Sequence, residues 1–346
     1  MIQNLKNKIE SRKILKINFI GDVNISLGSD RIYLENLNYF LNKLDFIESK
    51  IDSQFLGSSV SDILIFKKGS NFNNNFLKLK KEALLGIIHP TEKTKNLRMF
   101  DFAIVGSVEE KAYYSKYLKC FVFPQIEMID SKYIKNYDKR PNKVICYHGN
   151  KVHLDLIHIN LEKALLRLVS QGYSFKAIYN HIGLGKCKKN FITDHIQWKS
   201  ESWLKEIANS TVGICPASHY SGSIREKVSK FILNFGNMHS NLTYSDFIFK
   251  HKNTLNAGRS FVFHQLKIPV AAEIASCHHH VMGDESAGLV CFSENSWYEA
   301  ILKLSQDKLF SNQIAEKAYY SMNELYDPAK WTKKFIDSLI EWVINY

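Results

Sequence analysis

Short apolar runs alternate with helix-type patterns along this chain, and this alternation constrains the fold more than any other feature. Residues 14–21 and 100–107 are apolar runs of strand length, and residues 143–150 and 211–218 repeat the pattern in the second half. Between such runs, apolar residues recur at the spacing of one helical face, as in residues 161–173. Because strands that alternate with helices form parallel sheets, the sequence predicts an α/β fold.

A polar segment divides this pattern into two consecutive sets. Residues 131–142 are polar and charged and contain Pro141. A length of 346 residues fits two cores of ordinary size. We therefore predict a Rossmann-like domain at residues 1–130, a linker, a second Rossmann-like domain at residues 143–312, and a helical tail at residues 313–346. A ligand would bind at the carboxyl ends of the strands.

The formal net charge of +12 is spread over both halves and favours polyanionic partners of any kind. No apolar run approaches the roughly 20 residues that span a bilayer, and the polar N-terminus lacks the apolar stretch of a signal peptide. The six cysteines are scattered singly, as in a reducing compartment. We expect a cytoplasmic protein. The cluster of Lys78, Lys80 and Lys81 would allow peripheral contact with an anionic membrane, although a solvated basic face explains it equally well.

The second half carries a segment with the order of a known family. The segment is NAGRSFVFHQLKIPVAAE (256–273), followed by GDESAGLVCFSENSWYEAILKLSQD (283–307). It resembles the nucleotide-sugar domain of GT-B glycosyltransferases, including the family 4-like enzymes that build bacterial surface polysaccharides. VICYHGN, IANSTVGICP and GDVNISLGSDRIY are similar to further family positions. Lys267 stands where the family's turn before Pro-Val usually has glycine.

The resemblance implies a fold and a reaction. It implies two Rossmann-like domains that face a central cleft, with C-terminal helices that cross back to the first domain. The activity would be sugar transfer from a nucleoside-diphosphate sugar to a hydroxyl of a saccharide or glycolipid acceptor. No metal and no other cofactor would be needed, and no nucleic-acid partner is expected.

The start of the helix within 256–273 is the main candidate for donor binding. Backbone N–H groups at a helix start, together with an arginine, can neutralise a diphosphate as the glycosidic bond breaks. Gly258 would let the backbone approach the phosphate, Arg259 would pair with it bidentately, and Ser260 would cap the helix. The alternative is a plain helix start with a surface arginine.

The resemblance places other donor-binding candidates in turns that follow strands. Glu273 would hold ribose hydroxyls, although a solvated loop carboxylate remains the alternative. Lys186 would serve the diphosphate, and Lys188 and Lys189 fit this role equally well. His148 or Lys151 would contact phosphate or ribose, although an ordinary polar turn explains residues 148–151 as well. These further donor candidates are His148, Gly149, Asn150, Lys151, Lys186 and Glu273.

The loop after the first strand and the end of a later strand supply the catalytic candidates. Asp22 and His89 are candidate general bases for an acceptor hydroxyl in an inverting mechanism. An aspartate after a strand is also a common turn former. The same loop carries the acceptor-binding candidates, which are Asn24, Gly28, Ser29 and Arg31.

Two features depart from simple expectations. Many retaining GT-B enzymes carry two glutamates separated by seven residues, but no such pair occurs between residues 250 and 273. The stereochemical outcome is therefore left open by the sequence. Cys277-His278-His279-His280 invites a metal hypothesis, but consecutive histidines do not converge on one ion. We expect a polar loop there and no metal site.

Two other functions fit the composition. A nucleic-acid-binding protein is compatible with the charge of +12 and with 13% aromatic residues, although no helix-turn-helix, RRM or zinc signature is present. A GT-B-like protein that catalyses another nucleotide-sugar reaction, such as epimerisation, is the third hypothesis.

Overall fold

The structure is a computed structural model whose described residues form two contact units. Within the predicted linker, residues 135–140 lie outside the described part of the chain, as does the side chain of Lys78. The described residues are 1–53, 61–68, 76–90, 97–134, 141–217, 256–283 and 286–346. The first unit comprises residues 1–128, 253–258 and 323–346, and the second comprises residues 129–252 and 259–322.

The first unit contains a six-stranded parallel sheet with the strand order β2-β1-β3-β4-β5-β6. Its strands are β1 (Leu15–Ile20), β2 (Ile47–Asp52), β3 (Ile63–Lys67), β4 (Leu84–Ile88), β5 (Phe102–Val105) and β6 (Lys119–Val122). Its helices are α1 (Ile2–Glu10), α2 (Gly28–Asp30), a π-helical segment (Arg31–Asn36), α3 (Leu37–Leu41), α4 (Phe76–Glu82) and α5 (Val108–Tyr114). The central strands are buried on both faces, as the continuous apolar runs predict.

The last helix of the chain belongs to the first unit. This helix, α14 (Pro328–Ile344), begins with Asp327, whose side chain accepts a hydrogen bond from the Lys330 N–H as an N-cap. Its buried face joins the core that β1, β4 and β5 also line, and it packs on α1 and α3. The buried residues of that face are Thr332, Phe335, Ile336, Leu339 and Val343.

The second unit contains a second parallel sheet, with the strand order β12-β11-β10-β7-β8-β9. Its strands are β7 (Val144–His148), β8 (Ser174–Tyr179), β9 (Asp194–Gln197), β10 (Val212–Cys215), β11 (Val270–Glu273) and β12 (Leu289–Cys291). Its helices are α6 (Val152–Asp155), α7 (Ile159–Ser170), α8 (His181–Leu184), α9 (Trp203–Ala208), α10 (Gly258–Gln265), α11 (Ser276–Met282), α12 (Glu294–Gln306) and α13 (Lys308–Leu325). Helices α10 and α13 extend a few residues across the unit boundaries.

A close approach between β10 and α10 fixes the position of α10. A Cβ atom on Gly213 would lie 2.5 Å from the ring of Phe263, so only glycine allows this packing. Phe263 is fully buried on α10. The helix is therefore pressed against β10, and its first turn comes to the carboxyl end of that strand.

The predicted α/β class is confirmed, with two Rossmann-like sheets and a final helix that returns to the first unit. The apolar pattern did not indicate β2 and β9, which are edge strands with many half-exposed residues. The loop expected at Cys277–His280 is wrong, because these residues lie in α11. Cys277 and His278 are buried there, while His279 and His280 are exposed.

Removal of the Phe335 side chain tests the packing of α14. We expect Phe335→Ala to lower the free energy of unfolding by about 3–5 kcal/mol, because it opens a cavity in the core of the first unit. The matched change Asp337→Ala, on the exposed face, removes a surface ion pair with Lys333 and should cost about 0.5 kcal/mol or less. Urea unfolding measures both, and equal costs would contradict the packing.

Candidate functional site

The switch point of the second sheet lies between β7 and β10. Strands β8 and β9 continue from β7 on one side, while β11 and β12 continue from β10 on the other. In open α/β sheets, ligands bind at the carboxyl ends of the strands beside such a point. The turn of residues 148–151 follows β7, and Pro216 and Ala217 follow β10. The structure therefore brings four of the predicted donor residues to the switch point.

Arg259 ties the two strand ends together. Its Nη2 donates a hydrogen bond of 2.6 Å to the Pro216 carbonyl oxygen after β10. Its Nη1 donates to the Tyr147 hydroxyl on β7 over 3.2 Å. The guanidinium also lies 5.6 Å from the centroid of the Tyr147 ring. A half-buried positive charge with two fixed contacts is thus held at the switch point of the second sheet.

Tyr147 is a residue that sequence reasoning missed. Burial raises the pKa of its hydroxyl to about 12, so the group stays neutral and acts as a hydrogen-bond donor. It donates to the carbonyl oxygen of Asn150 over 2.7 Å while it accepts from Arg259. The one available signal in the sequence was its position next to His148. A residue within an apolar strand gives no sign in the sequence of a contact with Arg259.

Gly149 is required by the backbone and by its neighbours. Its φ of +134° is a conformation that L side chains rarely adopt. A Cβ atom there would lie 3.1 Å from the Tyr147 hydroxyl and 3.3 Å from Cδ of Arg259. The preceding His148 lies with Nε2 3.2 Å from the carbonyl oxygen of Arg259. Predicted donor residues that are 111 positions apart in the sequence, His148 and Arg259, therefore lie next to each other.

Asn150 and Lys151 lie directly before α6. The Asn150 side-chain oxygen accepts a hydrogen bond from the Val152 N–H over 3.1 Å, which forms a local turn. The Lys151 ammonium donates to the carbonyl oxygen of Leu184 at the end of α8, over 3.0 Å. Both side chains thus shape the turn, and their contacts with a donor stay predictions.

Glu273 supports the loop after β10. It is 1% exposed, and its Oε2 accepts a hydrogen bond of 2.8 Å from the Ala217 N–H. Its own carbonyl oxygen lies 2.7 Å from Nδ1 of His278 on α11. Glu273 therefore fixes the backbone beside the carbonyl group that Arg259 holds. A ribose contact of Glu273 stays a prediction.

The three predicted residues in the first turn of α10 have different surroundings. Gly258 donates its N–H to the Asn256 side-chain oxygen over 3.1 Å, and a Cβ atom there would lie 3.0 Å from Cβ of Gln125. Ser260 is fully buried. Of the three candidates, Arg259 is the one whose charged group the structure places at the switch point of the second sheet.

The basic residues after β8 have different surroundings. Lys189 forms an ion pair with Glu162 at 2.6 Å. Lys186 is exposed. Burial, and secondly the charge of Lys186, lowers the pKa of the His195 imidazole. Trp198 packs half-buried against the core beside Trp203.

The first sheet has its own switch point between β1 and β3. Lys67, the last residue of β3, donates to the Asp22 carbonyl oxygen over 2.8 Å and pairs with the buried carboxylate of Asp30. Asp30 also accepts from the Asn24 N–H over 2.9 Å and lies 3.4 Å from the Ser29 hydroxyl. These contacts order the loop that carries Asp22 and the predicted acceptor residues. Asp22 itself is exposed.

Arg31 is held within the first unit. Its guanidinium forms a bidentate pair with Glu127, with N–O distances of 2.7 and 2.9 Å, and it also donates to the Ile25 carbonyl oxygen. A Cβ atom on Gly28 would lie at ordinary contact distance, 3.6 Å, from this guanidinium. The phosphate or acceptor contact predicted for Arg31 stays a prediction, and Glu127 is a partner that no local sequence signal indicates.

His89 directly follows β4 and faces a buried carboxylate. Its Nδ1 lies 3.3 Å from Oε1 of Glu110, and its ring stacks on that of Tyr33. Within the described part of the chain, no three His, Cys, Asp or Glu side chains come together as a metal site would require. No described helix is long and apolar enough to cross a membrane.

Comparison with solved structures defines the fold of this chain. Sucrose-phosphate synthase from Thermosynechococcus elongatus matches with a TM-score of 0.63 and 10% identity, over 96% of this chain and 99% of that one. HepE of Anabaena, solved with UDP-glucose, matches with a TM-score of 0.58 and 11% identity, over 94% and 99%. A glycosyltransferase from Rickettsia africae matches with a TM-score of 0.58 and 12% identity, over 96% and 99%.

The chain thus has the fold of GT-B glycosyltransferases, as the resemblance in the sequence implied. At these identities the likeness concerns the fold. No family model matches the chain. A search of curated proteins also gives no match.

The crowding at Gly149 gives a testable difference between two glycines. Gly149→Ala should lower the free energy of unfolding by about 1–3 kcal/mol through backbone strain, and more through contact with Arg259 and Tyr147. Gly172 also has a positive φ, +84°, but no atom lies within 4 Å of its Cβ position. Gly172→Ala should therefore cost less. Urea unfolding of both variants decides, and a larger cost at Gly172 would contradict the geometry.

The buried His264 on α10 predicts an acid dependence of stability. Burial, and secondly His278, lowers the pKa of His264 to about 3, against 6.5 for a free imidazole. Between these values the unfolded chain binds one more proton than the folded protein. The free energy of unfolding therefore has its full value above pH 6.5 and falls as the pH decreases. The loss is about 1.4 kcal/mol per pH unit.

The matched variant is His264→Gln, which keeps a polar side chain but cannot titrate. We expect the free energy of unfolding of the native protein to fall by about 2 kcal/mol more than that of the variant between pH 6.5 and pH 5. Urea unfolding at both pH values measures this difference. An identical pH dependence of the two proteins would contradict the burial of a neutral imidazole.

Proposed function

We propose that this chain transfers a sugar from a nucleoside-diphosphate sugar to an acceptor hydroxyl. The observation that carries the proposal is Arg259, which holds a positive charge against the carboxyl ends of β7 and β10. A diphosphate leaving group gains negative charge as the glycosidic bond breaks, and a fixed guanidinium at that place stabilises it. The GT-B fold of the chain supports the same reaction class.

The donor site would be completed by the turn after β7. Gly149 keeps the backbone open to a phosphate, and the neighbouring His148, Asn150 and Lys151 would contact phosphate or ribose. Lys186 would add a further positive charge. Glu273 would help to bind the ribose, because its carboxylate fixes the loop at Ala217. HepE was solved with UDP-glucose and with UDP, so uridine nucleotides are the first donors to test.

The acceptor would be a saccharide or glycolipid, in surface polysaccharide or glycolipid synthesis. The ordered loop after β1, with Asn24, Gly28, Ser29 and Arg31, would contact it. Asp22 or His89 would take the proton of its hydroxyl. Contact with an anionic membrane would involve basic side chains such as Lys81. Lys80 is less available, since its ammonium lies 3.4 Å from Asp101.

A second candidate is epimerisation of a nucleotide sugar. A protein from Listeria monocytogenes described as a putative UDP-N-acetylglucosamine 2-epimerase matches with a TM-score of 0.50 and 10% identity, over 94% of this chain. Product analysis separates the two reactions. A transferase releases the nucleoside diphosphate, whereas an epimerase returns an isomeric sugar that still carries the nucleotide.

Nucleotide binding by Arg259 variants tests the proposal. Calorimetric titration with UDP, after a thermal-shift screen of UDP-, GDP-, ADP- and CMP-sugars, should show binding by the native protein. We expect Arg259→Ala to weaken the Kd about 10- to 100-fold, since a charge-assisted hydrogen bond is worth about 1.5–3 kcal/mol. Arg259→Lys should fall between, because the ammonium cannot form the bidentate pair.

Arg167→Ala is the matched control for charge. Arg167 lies on α7 in the same unit, with its guanidinium 3.5 Å from the centroid of the Tyr298 ring. The variant loses the same charge away from the switch point, and its Kd should stay within about twofold of the native value. Two outcomes would count against the proposal: no stabilisation by any sugar nucleotide, or equal binding by Arg259→Ala and the native protein.

A further inference from the structure

A buried histidine–carboxylate pair lies at the carboxyl end of the first sheet. His89 follows β4, and Glu110 lies on α5, after β5. His89 Nδ1 and Glu110 Oε1 are 3.3 Å apart, and the Glu110 side chain is fully buried. Both atoms are buried, and within the described part of the chain neither makes a hydrogen bond of ordinary geometry. Because buried polar groups are normally hydrogen-bonded, the 3.3 Å contact allows the two atoms to satisfy each other.

The carboxylate of Glu110 is held in place from its other side. Its Oε2 accepts a hydrogen bond of 2.5 Å from the Gly106 N–H, at the end of β5. The Glu110 N–H in turn donates to the Ser107 hydroxyl over 3.1 Å, which caps α5. Only Oε1 is left to meet His89, and an ionised carboxylate can only accept. A hydrogen bond between the two side chains therefore requires the proton on Nδ1 of His89.

The imidazole of His89 is oriented as well as partnered. Its φ of +47° is unusual for a residue other than glycine, and its N–H donates to the Ile104 carbonyl oxygen over 2.8 Å. The Tyr33 ring stacks on it, with centroids 6.1 Å apart. The side chain is 11% exposed although Nδ1 is buried, so the exposed part of the side chain does not include Nδ1. Backbone strain of this kind is typical of functional positions.

Neighbouring groups are poorer candidates for a base. Burial, with the Glu110 carboxylate as second cause, holds the pKa of Tyr33 well above its ordinary value, and its hydroxyl donates to the Phe123 carbonyl oxygen. Asp22 lies exposed in its loop, and no hydrogen-bond partner fixes its carboxylate within the described part of the chain. His89 is the candidate whose ring is both held and directed.

We propose that Glu110 is the positioning residue that fixes His89 as the Nδ1–H tautomer, with the lone pair of Nε2 available as general base. The inference rests on the proposed function. In the step, Nε2 takes the proton of the acceptor hydroxyl while the hydroxyl oxygen forms a bond to the anomeric carbon. The bond from that carbon to the diphosphate breaks, and its electron pair leaves on the diphosphate oxygen. The Glu110 carboxylate then balances the charge of the imidazolium.

The variant Glu110→Gln tests the role of the carboxylate with almost no change of shape. The oxygen of the new amide can still accept from the Gly106 N–H, but its NH2 group then donates to Nδ1 of His89. We expect the proton of the neutral ring to move to Nε2, which removes the base. Ser107→Ala is the control, since it removes the α5 cap and lowers Tm without altering the carboxylate.

Nitrogen NMR of the histidine rings is the readout, with His89 assigned through the signals lost in His89→Gln. We expect the neutral His89 ring to carry its proton on Nδ1 in the native protein and in Ser107→Ala, and on Nε2 in Glu110→Gln. A native ring protonated on Nε2, or the same tautomer in Glu110→Gln as in the native protein, would overturn the proposal.

Kinetics separate this inference from the proposed function. With UDP-glucose as donor and water as acceptor, Glu110→Gln should lower kcat at least about tenfold and leave KM within about twofold. The tautomer exchange with kcat unchanged would overturn the catalytic use of His89. The tautomer exchange in a protein that transfers no sugar from any sugar nucleotide would instead contradict the proposed function, since the NMR result needs no substrate.

Discussion

The hydrogen bonds of Arg259 to Pro216 and Tyr147 are the interaction on which the candidate site depends. They join the ends of β7 and β10, the two strands that flank the switch point of the second sheet. Other contacts serve this arrangement. Glu273 fixes the loop beside Pro216, and Gly149 leaves the room that the arginine side chain occupies. Phe263 against Gly213 sets the position of the helix that carries Arg259.

The fold could be predicted from the sequence because buried parallel strands are continuous apolar runs. Strands such as β4, β5 and β10 are buried at every residue and stand out for that reason. The edge strands β2 and β9 pair on one side only and tolerate polar residues, so periodicity did not find them. The Cys277–His280 segment was also predicted wrongly. Its polar composition suggested a loop, but two of its four residues are buried in a helix.

The site could be predicted only as far as local signals reach. Chain position and residue type singled out Arg259, Gly149 and His89. Their partners were hidden, because each contact joins residues far apart in the sequence: Tyr147 and Arg259, Arg31 and Glu127, His89 and Glu110. A polar residue's role depends on such partners. Arg31, for example, was predicted to contact acceptor or phosphate, and no signal in the sequence indicated that its guanidinium is paired with the buried Glu127.

The proposed function requires that the switch point of the second sheet binds the diphosphate of a sugar nucleotide. The decisive measurement is a crystal structure of the protein soaked with UDP. We expect the β-phosphate oxygens within hydrogen-bond distance, about 2.7–3.2 Å, of the Arg259 guanidinium and beside the backbone of Gly149. UDP bound elsewhere, with Arg259 still held only by Pro216 and Tyr147, would contradict it.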